Sequence, residues 1–282
     1  MKLMIQRLTE KDIPALAELP REVGWDYDEA EMKTVLASGA VYGHKTPEGT
    51  VVSSSAVIPY KETAALGLVI VREAYRRQGL AREAVKACLD LVPEKASVML
   101  FATEEGKPLY REFGFEEAGT VYKYTAPGQA LNKKSTALPN NIRMYESCDW
   151  NSIQQLDREA FGEDREAFLR HRFVQAYRSL VLKNGNNQPV GFGLSIWHEG
   201  QLLIGPVTAS DERGAAALVE QLIEAHPVKI RIDLTAESSI ITKMLEEYGF
   251  EKQSEPHRMV RHPGNLGSRN GTLDAIASQI FG

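Results

Sequence analysis

The chain repeats itself. Gly79 and Gly214 stand 135 positions apart (214 − 79), and so do the pairs Gly114-Phe115 and Gly249-Phe250 (249 − 114). Two strand-like openings, at Ile5 and Ile142, are 137 apart, as are the candidate helix caps Asp12 and Asp149 behind them. Each apolar-periodic segment after the central glycine stops at a proline, Pro93 or Pro227. Landmarks that keep nearly one spacing through 282 residues describe two copies of one fold, each of ordinary domain size. The expected division is residues 1–126, a linker over 127–140 within the polar stretch TAPGQALNKKSTALPNN, and residues 141–282.

Within a copy, strands and helices alternate, which is the pattern of an α/β fold. The run AALGLVIV, Ala64 to Val71, is apolar throughout, as a strand covered on both faces must be. From Leu80 the period changes, and Ala81, Ala84, Val85, Cys88, Leu91 and Val92 fall on one helical face. A strand, SVMLFAT, and a short helix, KPLYREF, lead to Gly114-Phe115. Near the far end, Leu273, Ile276 and Ile280 recur at helical spacing and predict a terminal helix docked on the second copy.

Composition narrows the function. Hydrophobic residues make up 43% and charged residues 25%, with a net charge of −5, so no basic field favours nucleic acid or an anionic membrane. Cys88 and Cys148 form neither a C-x-x-C pair nor a disulfide framework, which suits a reducing cytoplasm. His198-Glu199 lacks the second histidine of a zinc motif, and no metal is expected.

The densest positive charge sits at one junction, in VREAYRRQGLAREAVKACLDLV. Here a buried strand turns through Arg76, Arg77, Gln78 and Gly79 into a helix opening with Leu80, Ala81 and Arg82. A helix start leaves backbone N–H groups unpaired and carries partial positive charge, so it binds phosphates where glycine lets the backbone come close. The spacing R-x-x-G-x-A therefore predicts a diphosphate cradle. It is neither the P-loop nor the dinucleotide fingerprint, whose glycine and lysine spacings are missing.

These residues resemble the GNAT superfamily of N-acyltransferases, whose signature pairs V-x-x-x-Y-R-x-x-G-x-G/A with a later L-Y-x-x-x-G-F. The chain carries V-REA-Y-RRQ-G-L-A from Val71 and L-Y-REF-G-F from Leu109. The resemblance implies a mixed, splayed central sheet flanked by helices in each copy, with acetyl-CoA as cosubstrate. It implies that the Val69 N–H faces the acetyl carbonyl, that the Val71 backbone pairs with pantetheine, and that Tyr110 protonates the departing sulfur. The acceptor would be a small-molecule or peptide amine, and the protein a monomer or homodimer. Where many relatives carry a glutamate base this chain has Ala65. Trp25, Asp26 and Glu62 are candidate substrate residues, with His44 and Asp28 in the same region. At the 135 offset Arg76, Val71 and Tyr110 become Asp211, Pro206 and Leu245, so the second copy is expected not to catalyse. A non-catalytic acyl-CoA sensor is the alternative, encouraged by the missing base.

Overall fold

The computed structural model describes residues 3–128, 139–198, 200–223, 228–237 and 239–282. Glu199, Pro227 and most of the expected linker lie outside the described residues. The chain forms two compact units. The first comprises Met1–Glu117, Met259–Leu266 and Ile280–Gly282; the second comprises Ala118–Arg258 and Gly267–Gln279.

The first sheet holds β1 (Ile5–Leu8), β2 (Ala40–Lys45), β3 (Val51–Pro59), β4 (Thr63–Val71), β5 (Ser97–Ala102) and β6 (Phe115–Thr120), with β14 (His257–Arg261) between β5 and β6. Its helices are α1 (Ile13–Glu22), α2 (Glu29–Ser38), α3 (Leu80–Leu89) and α4 (Lys107–Glu112). Every residue of β3 from Val51 to Ile58 is buried, because α3 covers one face of the sheet and α1 with α2 the other. Leu80, Ala84, Val85, Cys88 and Leu89 make the buried face of α3. Its last turns tighten through Leu91 N–H to Cys88 O and Val92 N–H to Leu89 O before Pro93, which leaves Leu91 exposed rather than on the buried face.

The second sheet runs β13 (Glu251–Ser254), β7 (Tyr122–Ala126), β12 (Lys229–Leu234), β15 (Leu273–Ala275), β11 (Gln201–Ala209), β10 (Pro189–His198), β9 (Ala176–Lys183) and β8 (Ile142–Met144). Its helices are α5 (Trp150–Phe161), α6 (Glu166–Gln175), α7 (Glu212–Leu222) and α8 (Ser239–Glu247). The repeat persists in local detail. In the first unit the Thr9 N–H donates to the Asp12 carboxylate at 2.9 Å, and in the second the Glu146 N–H donates to Asp149 at 3.0 Å. Both aspartates thus close a turn onto the residue three before them rather than capping the helix that follows.

Two further expectations are corrected. The compact units are not the contiguous segments 1–126 and 141–282: β7 lies in the second sheet and β14 in the first, an exchange of the strand that follows each Gly-Phe landmark's strand. The segment around Leu273 is a strand, not a helix. Strands β11 and β12 diverge and leave open ladder edges, and β15 fills them, pairing Val207 with Ala275 on one side and Leu234 with Ala275 on the other. Satisfying those backbone groups outweighs the helical spacing of three apolar side chains.

Candidate active site

Strand β4 pairs in parallel with β5 over only three residues, Thr63 to Ala65 against Ser97 to Met99, although both strands run on. Among the described residues no strand enters the gap beyond. On its other side β4 pairs with β3, with one irregularity. Between Ser54 and Ala56 lies one β3 residue, Ser55; between their partners Ile70 and Gly67 lie two, Leu68 and Val69. This two-against-one count is a β-bulge. Leu68 takes the left-handed conformation, φ 53°, a strained choice for a side chain of that size. The bulge shifts the strand's alternation, so Val69 packs with Ala64 and Leu66 in the cluster beneath α3.

Tyr110 belongs to the same cluster, 7% exposed, with Phe115 edge-on at 6.0 Å between ring centroids. The structure therefore brings Val69 and Tyr110 into one packed group. Its hydroxyl takes no hydrogen bond among the described residues, and burial holds the phenol well above its ordinary range. Such a phenol stays protonated at physiological pH.

From Val71 the chain takes residues 72–79 to reach α3. Gly79 caps the helix at φ 84° and Arg77 sits at φ 60°, so the turn is wide and left-handed in two places. The main-chain N–H groups of Arg77, Gln78, Gly79, Leu80, Ala81 and Arg82 donate to nothing among the described residues. Most are exposed. Neighbouring unpaired donors at a helix start are the kind of geometry that can receive an anion.

Other expected residues fall differently. The Arg76 Nε donates to the Val71 carbonyl at 3.3 Å, so that carbonyl is already held, while Arg72 donates its N–H to Val52 on β3 at 2.9 Å. Alternation then turns the Val71 N–H to the gap edge. Arg82 pairs with Glu112 on α4. Trp25 and Tyr27 meet edge-on at 6.2 Å between α1 and α2, with Asp26 half-buried beside them, and Asp28 caps α2 through Glu31 N–H at 2.9 Å. Glu62 lies exposed in the β3–β4 hairpin turn, seven residues from Val69 and roughly 20 Å along the strand at about 3.3 Å per residue, so it does not line the reacting end. His44 is fully buried, bonded through Nδ1 to the Ser53 hydroxyl at 2.7 Å and through Nε2 to Glu83 on α3 at 3.2 Å. It fastens the cradle helix to the sheet. Ser54 is a functional candidate that the sequence pattern did not distinguish from its serine neighbours.

The second unit keeps the bulge but differs at the other features. Strand β11 carries the same bulge: Leu194 on β10 faces both Gly205 and Pro206. That equivalence sets Pro206 against Val69, an offset of 137 (206 − 69), rather than against Val71 as the 135 offset implied. Proline has no N–H to offer at the position itself. The gap is filled by β15. The turn from β11 to α7 shrinks to residues 210–211, where the Asp211 carboxylate accepts the Gly214 N–H at 2.8 Å. Leu245 replaces Tyr110 and is completely buried.

Open backbone amides at a helix start, strands β4 and β5 that part after three paired residues, and a buried phenol alongside suit an acyltransferase. Residues 9–115 match the acetyltransferase (GNAT) family, and residues 153–274 match an acetyltransferase (GNAT) domain. The chain is 31% identical over 278 residues to YitH, an uncharacterised N-acetyltransferase of Bacillus subtilis, spanning 98% of this chain and 97% of that one. It belongs to the GNAT acetyltransferase family and is an acyltransferase. A Pyrococcus horikoshii structure assigned provisionally as an acetyltransferase superposes with a TM-score of 0.78 at 20% identity, covering 99% of this chain and 96% of that one. A tandem GNAT protein from the clavulanic acid biosynthesis pathway superposes at 0.65 and 14%, covering 92% and 98%. These two establish the fold in its doubled form. Among the described residues no cluster of metal-ligating side chains is present, and no helix is long and apolar enough to cross a membrane.

Proposed function

We propose that the first unit transfers an acetyl group from acetyl-CoA to a primary amine by direct attack, and that the second unit is a non-catalytic partner. One observation carries this reading: the run of unpaired amides from Arg77 to Arg82 at the mouth of the β4–β5 gap. The diphosphate rests on those amides, with Arg76 and Arg77 adding charge, and the pantetheine arm lies along the free edge of β4 towards Val69. Arg76 must release the Val71 carbonyl for pantetheine to pair there, or leave that contact to the Val71 N–H alone.

In the reaction the amine lone pair bonds to the thioester carbonyl carbon, and the oxygen gains the charge. The Val69 N–H donates to that oxygen, a contribution of roughly 3 kcal/mol for one well-placed donor. As the carbonyl re-forms, the carbon–sulfur bond breaks, and the Tyr110 hydroxyl gives its proton to the sulfur. The nitrogen, cationic in the tetrahedral intermediate, loses its extra proton to solvent, since Ala65 offers no base, and the Tyr110 phenolate regains a proton from solvent after the thiol leaves. Trp25 and Asp26 are the side chains proposed to meet the acceptor.

Free-thiol release from acetyl-CoA across a panel of small amines and peptides tests the reading. Amine-dependent release supports it. Tight acetyl-CoA binding with no release from any amine would leave an acyl-CoA sensor.

A further inference from the structure

The bulge in β4 needs something to hold it. The Leu68 carbonyl faces the two-against-one gap in the ladder, where no β3 residue is paired with Leu68. A buried carbonyl left without a donor is destabilising. It has one: the Ser54 hydroxyl, itself fully buried, donates to Leu68 O at 2.7 Å. The consequence reaches the next residue. The peptide linking Leu68 to Val69 is planar and trans, so its C=O and N–H point in opposite directions. With the carbonyl pulled towards β3 by Ser54, the Val69 N–H must point away from β3, into the gap beside β5.

We infer that Ser54 is a positioning residue: its hydroxyl sets the peptide plane whose other end is the oxyanion donor. This rests on the reading above, in which the Val69 N–H meets the acetyl oxygen. The second unit gives an internal comparison. Ser54 is paired with Ile70, just past the bulge, and the residue in that place on β10 is Gly193, paired with Val207. Gly193 has no hydroxyl, and the peptide it would aim ends in Pro206, which has no N–H. The unit that lost the donor also lacks the group that orients it. The serines on either side are employed elsewhere or differently: Ser53 bonds His44, and the Ser55 hydroxyl is buried with no partner.

The test uses the full-length protein, acetyl-CoA labelled with carbon-13 at the carbonyl, and difference infrared spectroscopy of the bound thioester. A hydrogen bond from Val69 lowers the carbonyl stretching frequency in the wild type. Ser54→Ala should return the band most of the way to its solution position and lower kcat about 10- to 100-fold, with acetyl-CoA affinity within threefold of wild type. Ser54→Thr, which keeps the hydroxyl, should retain both band and rate. Should Ser54→Ala fail to fold, Ser54→Cys supplies a weaker donor, and an intermediate band supports the assignment. A wild-type shift that survives in Ser54→Ala, or in Ser54→Cys where only that variant folds, overturns the role of Ser54. No shift in the wild type instead removes Val69 as the donor, and with it the reading on which this inference stands.

Discussion

The Asp211 carboxylate accepts the Gly214 amide at 2.8 Å, at the place in the second unit where the first leaves its amides open. A second carboxylate, Glu212, accepts the Ile240 amide at 3.0 Å. An anion arriving there would have to displace the protein's own and face both negative charges. Binding of acetyl-CoA should accordingly saturate at one molecule per chain by calorimetry. Arg76→Glu combined with Arg77→Glu should weaken that single site at least tenfold, since two reversed charges beside a diphosphate cost more than 1.4 kcal/mol. A stoichiometry of two would show the second corner to be functional despite its caps.

Tyr110→Phe should lower kcat about 10²-fold while leaving acetyl-CoA affinity within twofold, because the ring's packing against Phe115 survives and only the proton is lost. Burial keeps the hydroxyl protonated through the physiological range, so no loss of the acid limb should appear in the wild-type rate below pH 9. Stopped-flow turnover against pH decides it, and equal rates for the two proteins would exclude Tyr110 as the acid.

How far could these parts be foreseen? The strand-to-helix corner was legible because it depends on a local pattern of charge and glycine, whereas the roles proposed for Val69 and Tyr110 came from the family resemblance. The strand exchange was not, since β7 and β14 follow equivalent strands and either could serve either sheet on hydrophobic pattern alone. The segment at Leu273 misled for a related reason, because its structure is decided by the open edges of β11 and β12, which lie distant in sequence. Ser54 looks like its neighbours in VVSSSAV; only the one-residue slip in register singles it out.

The two thiols should behave oppositely. Cys88 is buried under β3, its thiol donating to the Ser55 carbonyl at 3.2 Å and its pKa pushed up to about 11 by burial, whereas Cys148 is exposed. A thiolate reagent at pH 8 should titrate one thiol per native chain and both after denaturation. Rapid reaction of two thiols in the native protein would show α3 to open readily.

Asp274 gives the stability a pH dependence of calculable sign. Burial, against the Ala209 backbone hydrogen bond and with Glu212 and Asp211 nearby, raises its carboxyl to about 7, and one of its oxygens is buried without a partner. Its unfolded value is about 3.9, so the folded state binds the extra proton between about pH 4 and pH 7. Stability contributed there is therefore lost as pH rises through that window. Asp274→Asn should leave the melting temperature unchanged near pH 4 and raise stability by about 1–2 kcal/mol at pH 8. An equal effect at both pH values would mean the carboxylate is already ionised at pH 4.

Gly67 and Ile280 meet face to face. A Cβ added at Gly67 would lie 3.1 Å from the Ile280 Cα and 3.4 Å from its Cγ2, and the neighbouring Phe281 carbonyl is held by the Tyr60 hydroxyl at 2.6 Å. Ala64, Leu66 and Val69 face the packed cluster beneath α3 while Gly67 faces Ile280, and we propose that the acceptor amine reaches Val69 along the Gly67 side of β4. Gly67→Ala should push residues 280–282 by a few tenths of an ångström and cost about 1–2 kcal/mol of stability. Acetyl-CoA affinity should stay within twofold, because Gly67 lies four residues before the end of β4 that leads to the cradle, while kcat/KM for the best acceptor amine falls about tenfold. Ile280→Ala in the same background should recover the stability and part of the acceptor efficiency by making room for the new methyl. If the double variant melts no higher than Gly67→Ala alone, the two residues are not in contact in solution, and an unchanged kcat/KM in Gly67→Ala would show that the acceptor does not approach along this face.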